Sequence, residues 1–151
     1  MNAVVIGAAK PGYAEAITRK LIKNGFKVIG TYDTEFEENA TKLSKEFSSE
    51  KLTLKSLDLS SRNDLKSFVD DIVDPIDAFV FAQFYFDMEN PDDFNHEIWD
   101  KSIAINLTAP NYLIHELKNK MNAGSSIVIL TSTEGFRGSY GASAYAATKA
   151  A

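Results

Sequence analysis

The 151-residue sequence has no cysteine, two histidines, one tryptophan and four prolines. Without thiols there is neither a disulfide framework nor a thiolate metal site. His96 and His115 are too few and too far apart for a histidine cluster, so no metal is expected. No Lys/Arg cluster is present either. Sixteen basic against twenty-one acidic residues leave a formal charge of −5, and a nucleic-acid partner, which needs concentrated positive surface, is not expected. The apolar start AVVIGAA is broken at Lys10-Pro11, too short for a secretory leader or a membrane span. The expectation is a cytoplasmic protein with no membrane partner. Internal repeats, low-complexity tracts and Pro/Gly/Ser-rich linkers are also missing.

What is present is a mixed composition, 44% hydrophobic and 25% charged, which suffices for one core. The apolar pattern switches repeatedly between strand and helix character. Residues Ala3 to Ile6 read as a strand, followed by a Gly-containing turn and the helix AEAITRKLIKNG, stopped by Gly25. KVIGTY is a second strand ending at Asp33, and a polar helix covers about Glu37 to Phe47. LTLKSL is a third strand; Asp58, Ser60 and Ser61 offer caps before NDLKSFVDDI, whose Leu65, Phe68, Val69 and Ile72 share one face. DAFVFA is a fourth strand, nearly all apolar, as expected where helices cover both faces of a parallel sheet. A polar, aromatic loop leads to a helix over Glu97 to Met121, then SSIVIL as a fifth strand. A Gly/Ser-rich loop follows, with Ser143 as a cap for a last helix. Strict alternation of this kind predicts an α/β fold with a doubly wound parallel sheet. Ligands in such sheets bind beyond the carboxyl ends of the strands, so the residues just after each strand are the candidates for function.

After the first strand, GAAKPGYA places Gly7 and Gly12 in a turn that opens a helix. Small residues there let backbone N–H groups approach a pyrophosphate, although a tight turn alone would also use them. Asp33 lies 21 residues beyond Gly12, near where dinucleotide folds carry an acidic ribose ligand. The segment after the fifth strand is LTSTEGFRGSYGASAYAATKAA. Ser132 precedes Tyr145 by 13 positions and Tyr145 precedes Lys149 by four. A Tyr/Lys pair four apart near a helix start shares one face. A phenol, with a pKa of about 10, becomes a usable acid/base when a cation and a helix N-terminus favour its ionised form.

This serine, with its Tyr-x-x-x-Lys pair, resembles the short-chain dehydrogenase/reductase family, and the resemblance extends over the whole chain. It implies a Rossmann fold of three α/β/α layers with strand order 3-2-1-4-5. Residues 1–151 would form the dinucleotide-binding domain, cut at the start of the fifth helix and lacking the family's C-terminal strands. It further implies an NAD(P)-dependent oxidoreductase acting on a small alcohol or carbonyl compound, with Ser132, Tyr145, Lys149 and Asn106 catalytic. Cofactor contacts would come from Gly7, Lys10, Gly12, Tyr13, Asp33, Asp58, Leu59 and Ala82, together with Tyr145 and Lys149. The family's fifth helix commonly serves dimers and tetramers, so a homo-oligomer is implied. Asp33 would repel a 2′-phosphate and Lys10 attract one, a mixed signal read here as a slight lean to NAD over NADP.

The sequence departs from the family in its glycine loop and its fourth strand. Ala8 and Ala14 replace the loop's outer two glycines, adding methyl groups where backbone is expected to approach phosphate. Strand four ends Phe81-Ala82-Gln83-Phe84 where most relatives read Asn-Asn-Ala-Gly, which is expected to reshape the adenosine-side wall. Phe84, Tyr85, Phe86, Phe136 and Tyr140 suggest an aromatic entrance. Asp58 could instead simply cap a helix, and Asn106 could be an interior polar residue bonded to backbone. The competing readings are a non-catalytic nucleotide-binding or regulatory relative, and an interaction module using an exposed fifth strand or helix.

Overall fold

The computed structural model describes residues 1–151. Five strands, β1 (Asn2–Ile6), β2 (Lys27–Tyr32), β3 (Leu52–Ser56), β4 (Ile76–Phe81) and β5 (Met121–Ile129), form one sheet. They pair in parallel in the order β3-β2-β1-β4-β5. The helices are α1 (Tyr13–Lys23), α2 (Glu37–Glu46), α3 (Arg62–Asp70), α4 (His96–Ser102), α5 (Ala109–Leu117), α6 (Glu134–Arg137) and α7 (Ser143–Ala150).

The period of two in the strands divides the core into two layers. From β1 and β4, Val4, Ile6, Phe79 and Phe81 pack with Leu65 and Phe68 of α3 and Leu113 and Leu117 of α5. The alternate residues Ala3, Val5 and Val80 meet Ala14 of α1 and Ala40 and Leu43 of α2 on the other face. The sheet is therefore covered on both sides, which explains why β1 and β4 are apolar almost throughout. On β2, Gly30 makes room for the loop after β1. A Cβ built at Gly30 would collide with the Ala8 methyl and come within 2.7 Å of Leu54 Cδ2.

Most element bounds agree with the sequence pattern to within a residue or two, and the exceptions are informative. The helix expected over Glu97 to Met121 runs from His96 to Lys120 as α4, a π-helical stretch Ile103–Thr108, α5 and a 3-10 turn Lys118–Lys120. Met121 instead begins β5, four residues before the expected SSIVIL. The loop after β5 contains the short helix α6, which no periodicity announced. Ser143 is the first residue of α7 rather than its cap. Strand β5 lies at the sheet edge, with Ile127, Val128 and Ile129 each nearly half exposed. No helix is long and apolar enough to cross a membrane.

Candidate active site

All five strands point the same way, so the segments after β1, β2, β4 and β5 gather along one edge of the sheet. The loop after β1 turns at Gly7 (φ 85°), whose N–H donates to Thr31 Oγ1 at 3.1 Å. It ends at Gly12 (φ 98°), directly before α1, whose first-turn amides no side chain caps. Only glycine takes this backbone without strain. A Cβ at Gly12 would meet nothing within 4 Å, whereas one at Gly7 would strike Gln83 Oε1 at 2.9 Å. Ala8 and Ala14, expected to crowd a phosphate, are fully buried, with Ala8 against Gly30. Their methyl groups fill the core beneath the loop instead.

Lys10 reaches from this loop onto Phe84. Its Nζ lies 3.5 Å from the centre of the Phe84 ring, donates to Phe84 O at 3.4 Å and stands 5.4 Å from the Phe36 ring. Burial pulls its pKa down, opposed by the carboxylates of Glu35 and Asp33. Asp33 follows β2 and accepts from Glu35 N at 3.3 Å, capping the turn Thr34–Phe36. Tyr13 is half exposed; burial, with Tyr145 close by, raises the pKa of its hydroxyl. Asp58 is exposed and closes a local turn, accepting from Ser60 N at 2.8 Å and Ser60 Oγ at 2.6 Å. The cap of α3 is Ser61. The Leu59 side chain belongs to the core, and Ala82 is buried with its N–H bonded to Ile6 O at 2.9 Å. These two can offer a ligand only backbone or a small wall.

Tyr145 and Lys149 ride on α7. The Tyr145 ring packs edge-on against Phe84 (centroids 5.9 Å apart) and Phe86 (5.2 Å). Phe81 is a core residue, so of the two aromatics at the end of β4 it is Phe84 that faces the Tyr/Lys pair. Phe136 and Tyr140 stand out in solvent, 87% and 83% exposed. The Lys149 ammonium lies 5.6 Å from the Tyr145 ring centre and donates to Leu130 O at 3.0 Å. Burial first, then the positive charge of Lys10, brings its pKa down to about 8. Ser132 Oγ accepts from Glu134 N at 3.2 Å, which leaves its proton free to donate elsewhere.

Asn106 sits in the π-helical stretch and is buried. Its Oδ1 accepts from Tyr85 N at 2.8 Å, and its Nδ2 donates to Tyr85 O at 2.9 Å and Thr148 Oγ1 at 3.1 Å. It thus ties the loop after β4 to α7. Two further residues hold the same junction and went unread in the sequence. The Thr148 hydroxyl donates a hydrogen bond to the backbone carbonyl of Tyr145 at 2.8 Å. Glu89, buried to 8% exposure, accepts from Ala144 N at 2.7 Å and Ser143 Oγ at 2.9 Å. Thr148 could have been suspected from its place between Tyr145 and Lys149. Glu89 carried no signal, because its loop has no periodicity.

The model of one family, described as short chain dehydrogenase, matches residues 1–151. The chain belongs to that family. Among solved structures, the chain is similar to BdcA in complex with NADPH, with 25% identity and a TM-score of 0.87. That match covers 99% of this chain and 59% of BdcA. A blue fluorescent protein from a metagenomic library, in complex with NADPH, is 25% identical with a TM-score of 0.90 over 99% of this chain and 63% of its own. Serine dehydrogenase from Escherichia coli is 28% identical, with a TM-score of 0.85 over 99% and 70%. The chain thus spans about three fifths to seven tenths of the length of these relatives. No curated protein matches the sequence.

Proposed function

We propose that this chain forms the dinucleotide-binding and proton-transfer part of an NAD(P)-dependent oxidoreductase acting on a small alcohol or carbonyl compound. The observation that carries the reading is the shared surroundings of Phe84. Its ring is touched by Lys10 from the glycine loop, at 3.5 Å, and lies 5.9 Å from both the Tyr145 ring and the Lys149 ammonium. A phosphate-type loop and an acid/base pair therefore meet at one aromatic ring. The NADPH bound by BdcA and by the metagenomic protein supports a nicotinamide cofactor of either kind. For preference within that class, Asp33 favours a free 2′-hydroxyl and Lys10 a 2′-phosphate.

The residues at hand suit such a group. The amides of Tyr13 and Ala14 that open α1, beside a loop open at Gly12, offer donors and positive dipole to a pyrophosphate, the Glu15 N–H being held by Lys10 O. Lys149 keeps two N–H bonds beyond the one given to Leu130 O and can hold a ribose hydroxyl. The nicotinamide, when bound, supplies or accepts the hydride. Tyr145 gives a proton to the carbonyl oxygen in reduction and takes the alcohol proton in oxidation. Ser132 donates a hydrogen bond to that same oxygen. Lys149, cationic at neutral pH with its pKa brought down to about 8, stands 5.6 Å from the centre of the Tyr145 ring.

Tyr145→Phe tests the assignment, since it removes the transferable proton and little else. Turnover should be abolished while NADPH or NADH binding stays nearly intact. A variant that turns over as the parent does would sink the mechanism. Asp33→Arg should move affinity towards NADP, and an unchanged NAD/NADP ratio means that Asp33 does not face the ribose. A second reading, self-association, is favoured by the exposed apolar edge at Ile127, Val128 and Ile129. Solution mass measured across protein concentrations separates a monomer from an assembly.

A further inference from the structure

We infer that Glu89 is a positioning residue for Tyr145, acting by capping the helix on which the tyrosine rides. This rests on the acid/base role proposed for Tyr145, and it adds a residue from a different loop. Helix α7 begins at Ser143, and Ala142, which precedes it at the N-cap position, supplies no side-chain cap. The missing acceptor arrives from 54 positions away in sequence: the Glu89 carboxylate takes the Ala144 N–H on one oxygen and the Ser143 hydroxyl on the other. Bonds of 2.7 and 2.9 Å donated to a carboxylate belong to the stronger class of hydrogen bonds. The carboxylate also meets the positive end of the helix.

The attachment is stiff at both ends. The backbone N–H of Glu89 donates to Gly141 O at 2.8 Å, so the segments 88–89 and 141–144 are joined by three hydrogen bonds. Gly141 has φ 66°, and a Cβ there would lie 2.8 Å from Glu89 O and 2.6 Å from Met88 Sδ. The contact is too close for any other residue. Tyr145 follows the capped amide by a single position. The segment that carries Glu89 also carries Phe84 and Phe86, whose rings flank Tyr145. Cap and ring contacts thus fix the tyrosine from one continuous stretch of chain. Ordinary helix capping would explain the hydrogen bonds alone. A single stretch that both caps α7 and walls its tyrosine gives the cap a consequence at the phenol.

The test compares Glu89→Ala, Glu89→Gln and Glu89→Asp in the full chain. Glutamine keeps an acceptor for Ala144 N and a group for Ser143, whereas aspartate keeps the charge but is one methylene short. Three quantities are read: the ring signal of Tyr145 in carbon-13 tyrosine NMR, assigned with Tyr145→Phe; the NADPH dissociation constant; and NADPH oxidation with phenanthrenequinone as carbonyl probe. The alanine variant should displace the Tyr145 signal and lower kcat by roughly tenfold or more, because small misplacements of reacting groups are costly. Its NADPH affinity should hold within about twofold, and glutamine should restore both signal and rate. A Tyr145 signal that stays in place in the alanine variant overturns the inference, as does a glutamine variant as impaired as alanine. If the alanine variant does not fold, aspartate decides, since its lost reach must still displace the signal. If the parent chain binds NADPH without oxidising it while the Tyr145 signal still follows Glu89, the positional link stands and the proposed chemistry falls.

Discussion

The Lys10 ammonium lies 3.5 Å from the centre of the Phe84 ring, and the same nitrogen donates to the carbonyl oxygen of that residue at 3.4 Å. A cation held over an aromatic face is stabilised by the ring quadrupole, more so when partly desolvated as here. The contact joins the loop after β1 to the wall beside Tyr145. A dinucleotide reaching from the start of α1 to Tyr145 must pass it.

Removing the ring should therefore favour the nucleotide. Phe84→Ala is expected to tighten NADPH binding by roughly threefold or more, because a contact that competes with the ligand lowers its apparent affinity. Titration followed by nicotinamide fluorescence gives the answer. Equal or weaker binding would mean that the ring supports the cofactor rather than standing in its way.

Lys149 makes a prediction about pH. Its pKa falls from 10.5 to about 8 on folding, with burial the larger cause and Lys10 the smaller. Below pH 8 the group is charged in both states and the folded protein bears the full desolvation cost. Between pH 8 and 10.5 the unfolded chain holds a proton that the folded one has released, so this group's contribution to stability rises with pH. The stability of the parent minus that of Lys149→Met should climb across this window in urea melts. A flat difference would show that the lysine is not desolvated.

The Ala8–Gly30 contact predicts a matched pair of variants. Gly30→Ala puts a methyl into the Ala8 methyl and beside Leu54, and overpacking of this kind costs about 1–3 kcal/mol. Ala8→Gly in the same chain should recover part of the loss. If the double variant is as unstable as the sum of the two singles, the contact is not the cause.

Asn106→Leu should destabilise the fold by about 2 kcal/mol, since it takes the side-chain partner from the part-buried N–H and C=O of Tyr85 and from the buried Thr148 hydroxyl. Denaturant melts measure this directly. A loss under about 1 kcal/mol would mean that water replaces the amide.

The sheet was legible because both its faces are covered. Val4, Ile6, Phe79 and Phe81 on one side and Val5, Val28 and Val80 on the other leave apolar runs too short for anything but buried strands. The nearness of Tyr145 and Lys149 was legible because their spacing is local to one helix. Glu89 was not, because a cap supplied from 54 residues away has no local pattern; the usual rule looks for the cap next to the helix and found Ser143. The inward turn of the Ala8 and Ala14 methyl groups was hidden for a related reason. Composition says that a methyl is present, and only the loop's path shows that Gly30 receives it. Phe84 could be named from the sequence, but its place beside Tyr145 depends on how a long irregular loop folds back.

The π-helical stretch at Ile103–Thr108 resolves an oddity of spacing in the long helix. Its core row of Ile105, Ala109, Leu113 and Leu117, beside which Ser102, Asn106 and Pro110 are also buried, recurs every four positions, although a regular helix repeats every 3.6. Each step of four overshoots a turn by about 40°, so a straight α-helix would rotate the line of side chains off the sheet within three steps. A wider turn at the start absorbs part of that rotation, as one residue added to an ordinary helix would do. Counted this way, the bulge is a phase correction. Deleting one residue between 103 and 108 would leave the composition almost untouched, yet it would turn Asn106 out of line with either Tyr85 or the apolar row below it.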